Sequence, residues 1–316
     1  MTKTKINWCV NPDGTPGEVW NPVTGCSKVS TGCKNCYAER YAERFWGERK
    51  FTDVVCNPGK LGDPAFWHKP RSVFVNSMSD LFHESVPDKF IDQVFAHIAV
   101  FRRHNFLILT KRPKRMLSYF NRWTNGGWDT PGIIWHDAME VFRKFATRAN
   151  GMAYDTQRRW PLPNVGLGVS IENQQAADRI PLLLETPAEV RFVSCEPLLG
   201  PVDLGIGLCR ACGGSGETAG NYDQDDGMAS CDKCGGSGKS GEDIDWVICG
   251  GESGPHARPM QPSWVRSLRD QCLATETPFF FKQWGAWAPD GKDQMCRSKN
   301  KDLRFLDGKV YSQFPY

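Results

Sequence analysis

The sequence lacks any apolar run approaching the length of a membrane span. Its start, Met1-Thr-Lys-Thr-Lys-Ile-Asn7, lacks the apolar region of a signal peptide. Both absences lead to the expectation of a cytosolic protein with no membrane partner. It also lacks a strong excess of either charge: 39 Lys and Arg against 36 Asp and Glu leave +3. That is too little to establish a nucleic-acid partner and no bar to one. Cysteine, in contrast, is plentiful. Thirteen residues, an odd number in a compartment that disfavours disulfides, need another role. At 316 residues, 40% hydrophobic and 24% charged, the chain can bury a substantial core, as one large α/β domain or a domain plus an insertion.

Short β-branched or aromatic runs alternate with helical patterns. Arg71–Val75, Asn105–Thr110, Val165–Ser170, Val190–Ser194, Asp245–Cys249 and Pro278–Lys282 read as strands. Ser85 reads as the N-cap of a helix that carries Phe90, Ile91, Val94, Phe95, Ile98 and Phe101 on one face. Further helices are expected from Lys111 to Phe120, from about Asn173, and from Pro262 to Ala274. Such spacing implies parallel βαβ units, and about six to eight of them favour a full or partial (β/α) barrel over an open sheet. Function in that architecture collects at the strand C-termini. The polar residues there are Asn76, Asp80, Lys111, Arg112, Ser170, Glu172, Glu196 and Glu252. The expected division is a barrel of residues 1–204 and 243–316, interrupted at about 121–163 by a partly helical insertion, and a Gly- and Ser-rich insertion over 205–242.

The second insertion cannot bury a core of its own. It carries Cys209-Arg-Ala-Cys212-Gly-Gly-Ser-Gly and Cys231-Asp-Lys-Cys234-Gly-Gly-Ser-Gly. Two C-x-x-C turns close a tetrahedron of thiolates around structural Zn²⁺, whose binding supplies the missing folding free energy. The repeated C-x-x-C-x-G-x-G resembles the zinc repeats of DnaJ-type chaperones, a likeness confined to these knuckles.

Near the N-terminus, Gly25-Cys26-Ser-Lys-Val-Ser-Thr-Gly32-Cys33-Lys-Asn-Cys36-Tyr37 places three further cysteines on one Gly-bounded loop. Two readings suit them. One is a structural zinc site completed by Cys9, Cys56 or His68. The other is a [4Fe-4S] cluster held by three thiolates, which leaves one iron open.

At these residues the chain resembles the radical S-adenosylmethionine (SAM) enzymes. It is similar in particular to phage and prophage proteins that share W-N-P-x-T-G-C…G-C-x-x-C-Y-A-E, here Trp20 to Cys26 and Gly32 to Glu39. The C-x6-C-x2-C spacing departs from the C-x3-C-x2-C of most radical SAM enzymes. The resemblance implies a radical SAM-type barrel, a [4Fe-4S] cluster on Cys26, Cys33 and Cys36, and SAM bound at the open iron. An electron donor such as flavodoxin or ferredoxin would be its partner. The resemblance further implies that Asn76, Ser77 and Asp80 meet the methionine amino group. Ser170, Glu172 and Asn173 would meet the ribose, and Gly250, Gly251 and Glu252 the adenine, with Glu196 also at the SAM site. For each of these, a helix cap or loop carboxylate is the plainer alternative.

Lys111-Arg-Pro-Lys-Arg115, with Tyr119, Phe120, Arg122 and Trp123, interleaves positive charge with aromatics. Lys111 and Arg112 are thus candidates for a nucleic-acid substrate; a solvated helix start with core aromatics is the other reading. The phage relatives imply a modified nucleobase in DNA or a modified nucleotide as substrate, in the host cytoplasm. The specific reaction the resemblance implies is isomerisation of N-linked glycinyl-thymidine to its Cα-linked form, a thymidine hypermodification that would protect viral DNA from restriction. Lyase-type thymine repair and a non-enzymatic zinc protein that binds nucleic acid are the alternatives.

Overall fold

The structure, a computed structural model, describes residues 4, 6–124, 132–145, 159–209, 211–219, 228–238, 243–290, 292–298 and 303–315. Parts of both insertions, Trp128 and Arg210 among them, lie outside the described residues.

Seven strands form the framework: β1 (Glu18–Trp20), β2 (Ser72–Val75), β3 (Asn105–Thr110), β4 (Val165–Ser170), β5 (Val190–Cys195), β6 (Trp246–Gly250) and β7 (Phe279–Gln283). Every neighbouring pair is parallel and the spatial order follows the chain. Parallel strands added always on one side, whose crossovers are right-handed as a rule, curl a sheet in one direction. This sheet stops as an open half-barrel, because the outer edge of β7 is already occupied. There Phe281 N–H donates to the Tyr311 carbonyl and Gln313 N–H to the Phe279 carbonyl. The full-or-partial barrel expected from the sequence is therefore the partial one.

The period-2 pattern of the strands separates two cores. Val73, Val75, Phe106, Ile108, Val193, Val247, Phe279 and Phe281 face the helical layer. Phe74, Leu107, Phe192, Trp246, Ile248 and Phe280 point into the concavity, where Trp8 and Cys9 plug them from the N-terminal segment. On β4 the concave positions are Gly166 and Gly168, and a Cβ at Gly168 would lie 2.5 Å from the Phe192 ring. The Val-Gly-Leu-Gly-Val run thus leaves room for a neighbour's aromatic ring.

The helices are α1 (Tyr37–Phe45), α2 (Asp88–Val100), α3 (Pro113–Thr124), α4 (Gly132–Phe145), α5 (Arg179–Leu184) and α6 (Pro262–Ala274). Helix α4 is the helical part of the first insertion, and its Ile134, Trp135, Ala138, Val141 and Phe145 join the main core. Two expected starts are corrected. Helix α2 begins at Asp88 with Pro87 as its cap, because the Ser85 N–H turns back onto His83 Nδ1 at 3.1 Å. The polar helix expected near Asn173 is a 3-10 turn, Gln174–Asp178, followed by the short α5.

His97 and His104 are buried, and burial pushes each down to about 4. Their unfolded value is about 6.5. The unfolded chain therefore binds more protons between those values, and stability is full above pH 6.5 and lost as pH falls towards 4. Each histidine is expected to cost about 2 kcal/mol between pH 7 and pH 5. Thermal unfolding across that range checks this, with His97→Gln flattening the profile.

Candidate functional site

A cavity of about 560 Å³ opens at the C-terminal ends of the strands, and Cys26, Cys33 and Cys36 all line it. Its floor is the top of the concave core, with Ile6, Trp8, Phe74 and Leu109. Its wall takes Asn76 and Asp80 after β2, Lys111 and Arg112 after β3, Ser170 at the end of β4, Glu196 after β5, Glu252 after β6, and Lys282 within β7. Residues that the sequence scatters over more than two hundred positions thus converge as a parallel α/β sheet requires.

The acidic strand-end residues hold the cysteine loop from beneath. Asp80 accepts Thr110 Oγ1 at 2.7 Å and the Lys111 N–H at 3.0 Å, and pairs with Arg112 at 3.2 Å. Arg112 reaches the loop itself, with Nη1 3.5 Å from Cys26 Sγ and Nη2 donating to Ser27 at 2.9 and 3.0 Å. Glu172 accepts from Ser30 Oγ at 2.7 Å and pairs with Lys111 at 2.9 Å and Arg179 at 3.0 Å. Burial opposes its charge, but Lys111, Arg179 and Ser30 outweigh that and hold its carboxyl below the usual range. The loop backbone lies directly on it, since a Cβ on Gly32 would fall within the Glu172 side chain. Glu252 takes a two-point contact from Arg258 at 2.6 and 3.0 Å and another from Asn35 at 3.0 Å. Arg258 continues to the Thr31 carbonyl at 3.0 Å. Glu196 accepts from Trp8 Nε1 at 2.9 Å and pairs with Lys282 at 2.8 Å, tying down the plug instead.

Several expected ligand contacts are therefore occupied by protein groups. Asp80, Glu172 and Glu252 anchor the loop. Asn173 caps the 3-10 turn through Ala176 N–H at 3.1 Å. The close backbone approach at Gly251 is to the Trp284 carbonyl, and a Cβ on Gly250 would lie 2.7 Å from Glu196 Oε1. Ser77 stays at the cavity wall, its Oγ 3.3 Å from Asn21. Asn76 is different. It is buried, adopts φ 61°, and its Nδ2 has no hydrogen-bond partner among the described residues while the side chain lines the cavity. A buried orphan donor in a sparsely populated backbone conformation is what a ligand's acceptor would satisfy.

The basic and aromatic stretch after β3 matches neither reading in full: its aromatics enter the core, and its first two cations, Lys111 and Arg112, line the cavity instead of standing in solvent. Tyr119 and Phe120 are buried in the core. Arg115 pairs with Asp88, and Arg122 with Asp88 and Asp92. Arg112 is spent on Glu84, Asp80 and the cysteine loop.

The two cysteine groups differ in geometry. Cys209, Cys212, Cys231 and Cys234 place their sulfurs within 4.8 Å of one another and could hold a metal such as zinc. The Cys209–Cys231 and Cys212–Cys234 distances are both 3.8 Å, the edge of a tetrahedron with bonds of about 2.3 Å. Burial raises the Cys212 thiol, yet the N–H groups of Gly216 and Gly214 and the neighbouring thiols outweigh it and bring it down to about 6. Cys26, Cys33 and Cys36 form no such group, and neither Cys9, Cys56 nor His68 completes one among the described residues. Their sulfurs do not all lie within 4.8 Å of one another, whereas sulfurs around one tetrahedral ion stand about 3.8 Å apart. A polynuclear cluster, in which each thiolate binds a different iron, requires the wider spacing. Burial and Asp80 push the Cys26 thiol up to about 11, against the pull of Arg112. Of the other six cysteines, Cys9, Cys195, Cys249 and Cys272 are buried, Cys56 is half-buried and Cys296 is exposed.

Ser30, Asn35, Arg258, Arg179 and Trp8 were not expected at the site. Only the last of them lies outside a polar stretch, and none has a spacing that marks it. Comparison with curated proteins and with solved structures finds no match. A family model described as "Protein of unknown function (DUF5131)" matches residues 3–315, both insertions included, and the chain belongs to that family.

Proposed function

We propose that the chain is a radical SAM enzyme that acts on a nucleobase, most specifically the isomerase that converts N-linked glycinyl-thymidine to the Cα-linked form. The observation that carries the class is the set of three cysteines lining one strand-end cavity, with no fourth metal-ligating side chain grouped with them among the described residues. The reaction itself is carried by the resemblance of the Trp20 to Glu39 segment to the phage proteins. Cys26, Cys33 and Cys36 would ligate three irons of a [4Fe-4S] cluster. When bound, the cluster supplies the low-potential electron for reductive cleavage of the sulfonium carbon–sulfur bond of SAM, the source of a 5′-deoxyadenosyl radical.

The chain's own groups prepare that chemistry. The Arg112 guanidinium beside Cys26 offsets negative charge as the thiolates form. Glu172 and Glu252 fix both arms of the loop, which limits movement of the thiolates. Asn76 Nδ2 and the Ser170 hydroxyl offer polar contacts to a ligand. Trp8, Phe74 and Leu109 close the floor against water.

Anaerobically purified protein is expected to be brown, to absorb near about 400 nm and to hold about four irons and one zinc per chain. With SAM and a strong reductant it is expected to release 5′-deoxyadenosine. A colourless protein with two zincs per chain would overturn the proposal.

A further inference from the structure

The basic stretch after β3 is turned inward, and a different surface stands open at the cavity mouth. Helix α1 follows Cys36 directly and reads Tyr37-Ala-Glu-Arg40-Tyr41-Ala-Glu-Arg44-Phe45. Its Ala38 and Ala42 are buried, while Tyr37, Tyr41 and Phe45 are 55%, 51% and 57% exposed. At 100° per residue the three aromatics share one face with Arg40 and Arg44, and Glu39 and Glu43 fall outside it. Tyr37 donates its hydroxyl to the Ser77 carbonyl at 2.5 Å, so the ring is held at the rim of the cavity it lines. Arg40 also lines the cavity and donates to the Ser253 carbonyl at 3.0 Å. Further out, Tyr41 and Phe45 lie 4.6 Å apart between centroids, and the Arg44 guanidinium sits 5.1 Å over Phe45.

We infer that this face is a docking track for a single-stranded stretch of DNA, and that the substrate is therefore polymeric rather than a free nucleotide. The inference rests on the proposed nucleobase chemistry. Three exposed rings leading away from the cavity offer stacking platforms for unpaired bases, and the arginines between them answer the phosphates. A base treated in the cavity must leave its stack, so its unpaired neighbours need such a surface. A membrane anchor fits less well. The face carries no aliphatic side chain, and the helix has only nine residues.

The test is binding of a labelled single-stranded DNA oligonucleotide, measured by fluorescence anisotropy at several salt concentrations, with iron and zinc content determined on the same preparations. Tyr41→Leu and Phe45→Leu keep the apolar area and remove the stacking face. Each is expected to weaken binding roughly five- to hundred-fold. Arg44→Gln is expected to lower the salt slope by roughly one phosphate contact, and Phe305→Leu, an exposed aromatic elsewhere, to change neither quantity. Unaltered affinity in both leucine variants overturns the inference, as does a wild-type protein that binds thymidine monophosphate but no oligonucleotide. Binding to phosphatidylserine vesicles that the leucine variants retain, without oligonucleotide binding, overturns it in favour of a membrane surface. Iron content separates the two readings. A four-iron protein whose affinity ignores the α1 variants sinks only the track, whereas an iron-free protein whose DNA binding depends on them sinks only the enzyme.

Discussion

Alanine at Cys26, Cys33 or Cys36 is expected to abolish both the visible iron–sulfur absorption and 5′-deoxyadenosine formation, while zinc stays at about one per chain. Each thiol would serve a different iron, so no remaining pair can retain the cluster. The loss is expected to be all or nothing, because in the proposed chemistry the cluster is the electron's source. The fold is expected to survive. The loop is fastened by Ser30 to Glu172, by Asn35 to Glu252 and by Arg258 to the Thr31 carbonyl, and none of these contacts uses a sulfur. Cys26→Ala removes one weak contact of Arg112, whose pairing with Asp80 and Glu84 remains. A stability change of about 1 kcal/mol or less follows. Asp80→Ala provides the contrast. It leaves the Arg112 guanidinium partly unpaired in a buried setting and frees the turn at Thr110, and is expected to cost about 3 kcal/mol or more. Denaturant melts and metal analysis on the same variants separate the two effects. Alanine variants that keep their colour would remove these cysteines from the cluster.

The contrast also marks how much of the molecule was legible in its sequence. Six of the seven sheet strands announce themselves as apolar runs, because both faces of a parallel sheet are covered. The one missed, β1, has three residues and begins with a buried Glu18, too short for any period to emerge. The C-terminal hairpins Trp287–Pro289 with Met295–Arg297 and Phe305–Leu306 with Lys309–Val310 escaped for the same reason. The polar residues at the strand ends gather around one cavity, yet position alone does not tell a ligand contact from a brace. Asp80, Glu172 and Glu252 face inward to the cysteine loop, and their partners, Arg112, Ser30 and Arg258, lie 32, 142 and 6 residues away. In the basic run after β3, Lys111 and Arg112 line the cavity while the rest packs against α2. The run's aromatics recur at the spacing of a helix face, and Asp88 and Asp92 on α2 absorb the charges of Arg115 and Arg122. Helix α1 has the same ingredients with alanines on its buried face, so its rings have no core to enter.

Removing the zinc, by a strong chelator or by Cys209→Ser with Cys234→Ser, is expected to unfold the 209–238 unit and leave the half-barrel folded. The unit has almost nothing else to hold it. Among its described residues the one hairpin pairs Glu217–Ala219 with Met228–Ser230, and an isolated hairpin is marginal in water. Gly213, Gly214, Gly216, Gly235, Gly236 and Gly238 all take positive φ, which maximises the entropy that unfolding regains. The two knuckles brace each other through matching bonds, Cys209 N–H to the Gly238 carbonyl and Cys231 N–H to the Gly216 carbonyl, both 2.8 Å. These bonds are expected to be lost once no metal draws the four sulfurs together. Structural zinc contributes about 10–16 kcal/mol to such units, far more than two short strands can replace. The sheet does not share this dependence. Strands β5 and β6 pair directly, Phe192 with Trp246 and Val193 with Val247, and a floppy connection between them adds a loop cost that grows only logarithmically with its length. The expected result is release of about one zinc per chain and new proteolytic cleavage within 209–238, with little change in the main thermal transition. An insertion that stays protected after the metal is gone would show that packing, and not the thiolates, holds it.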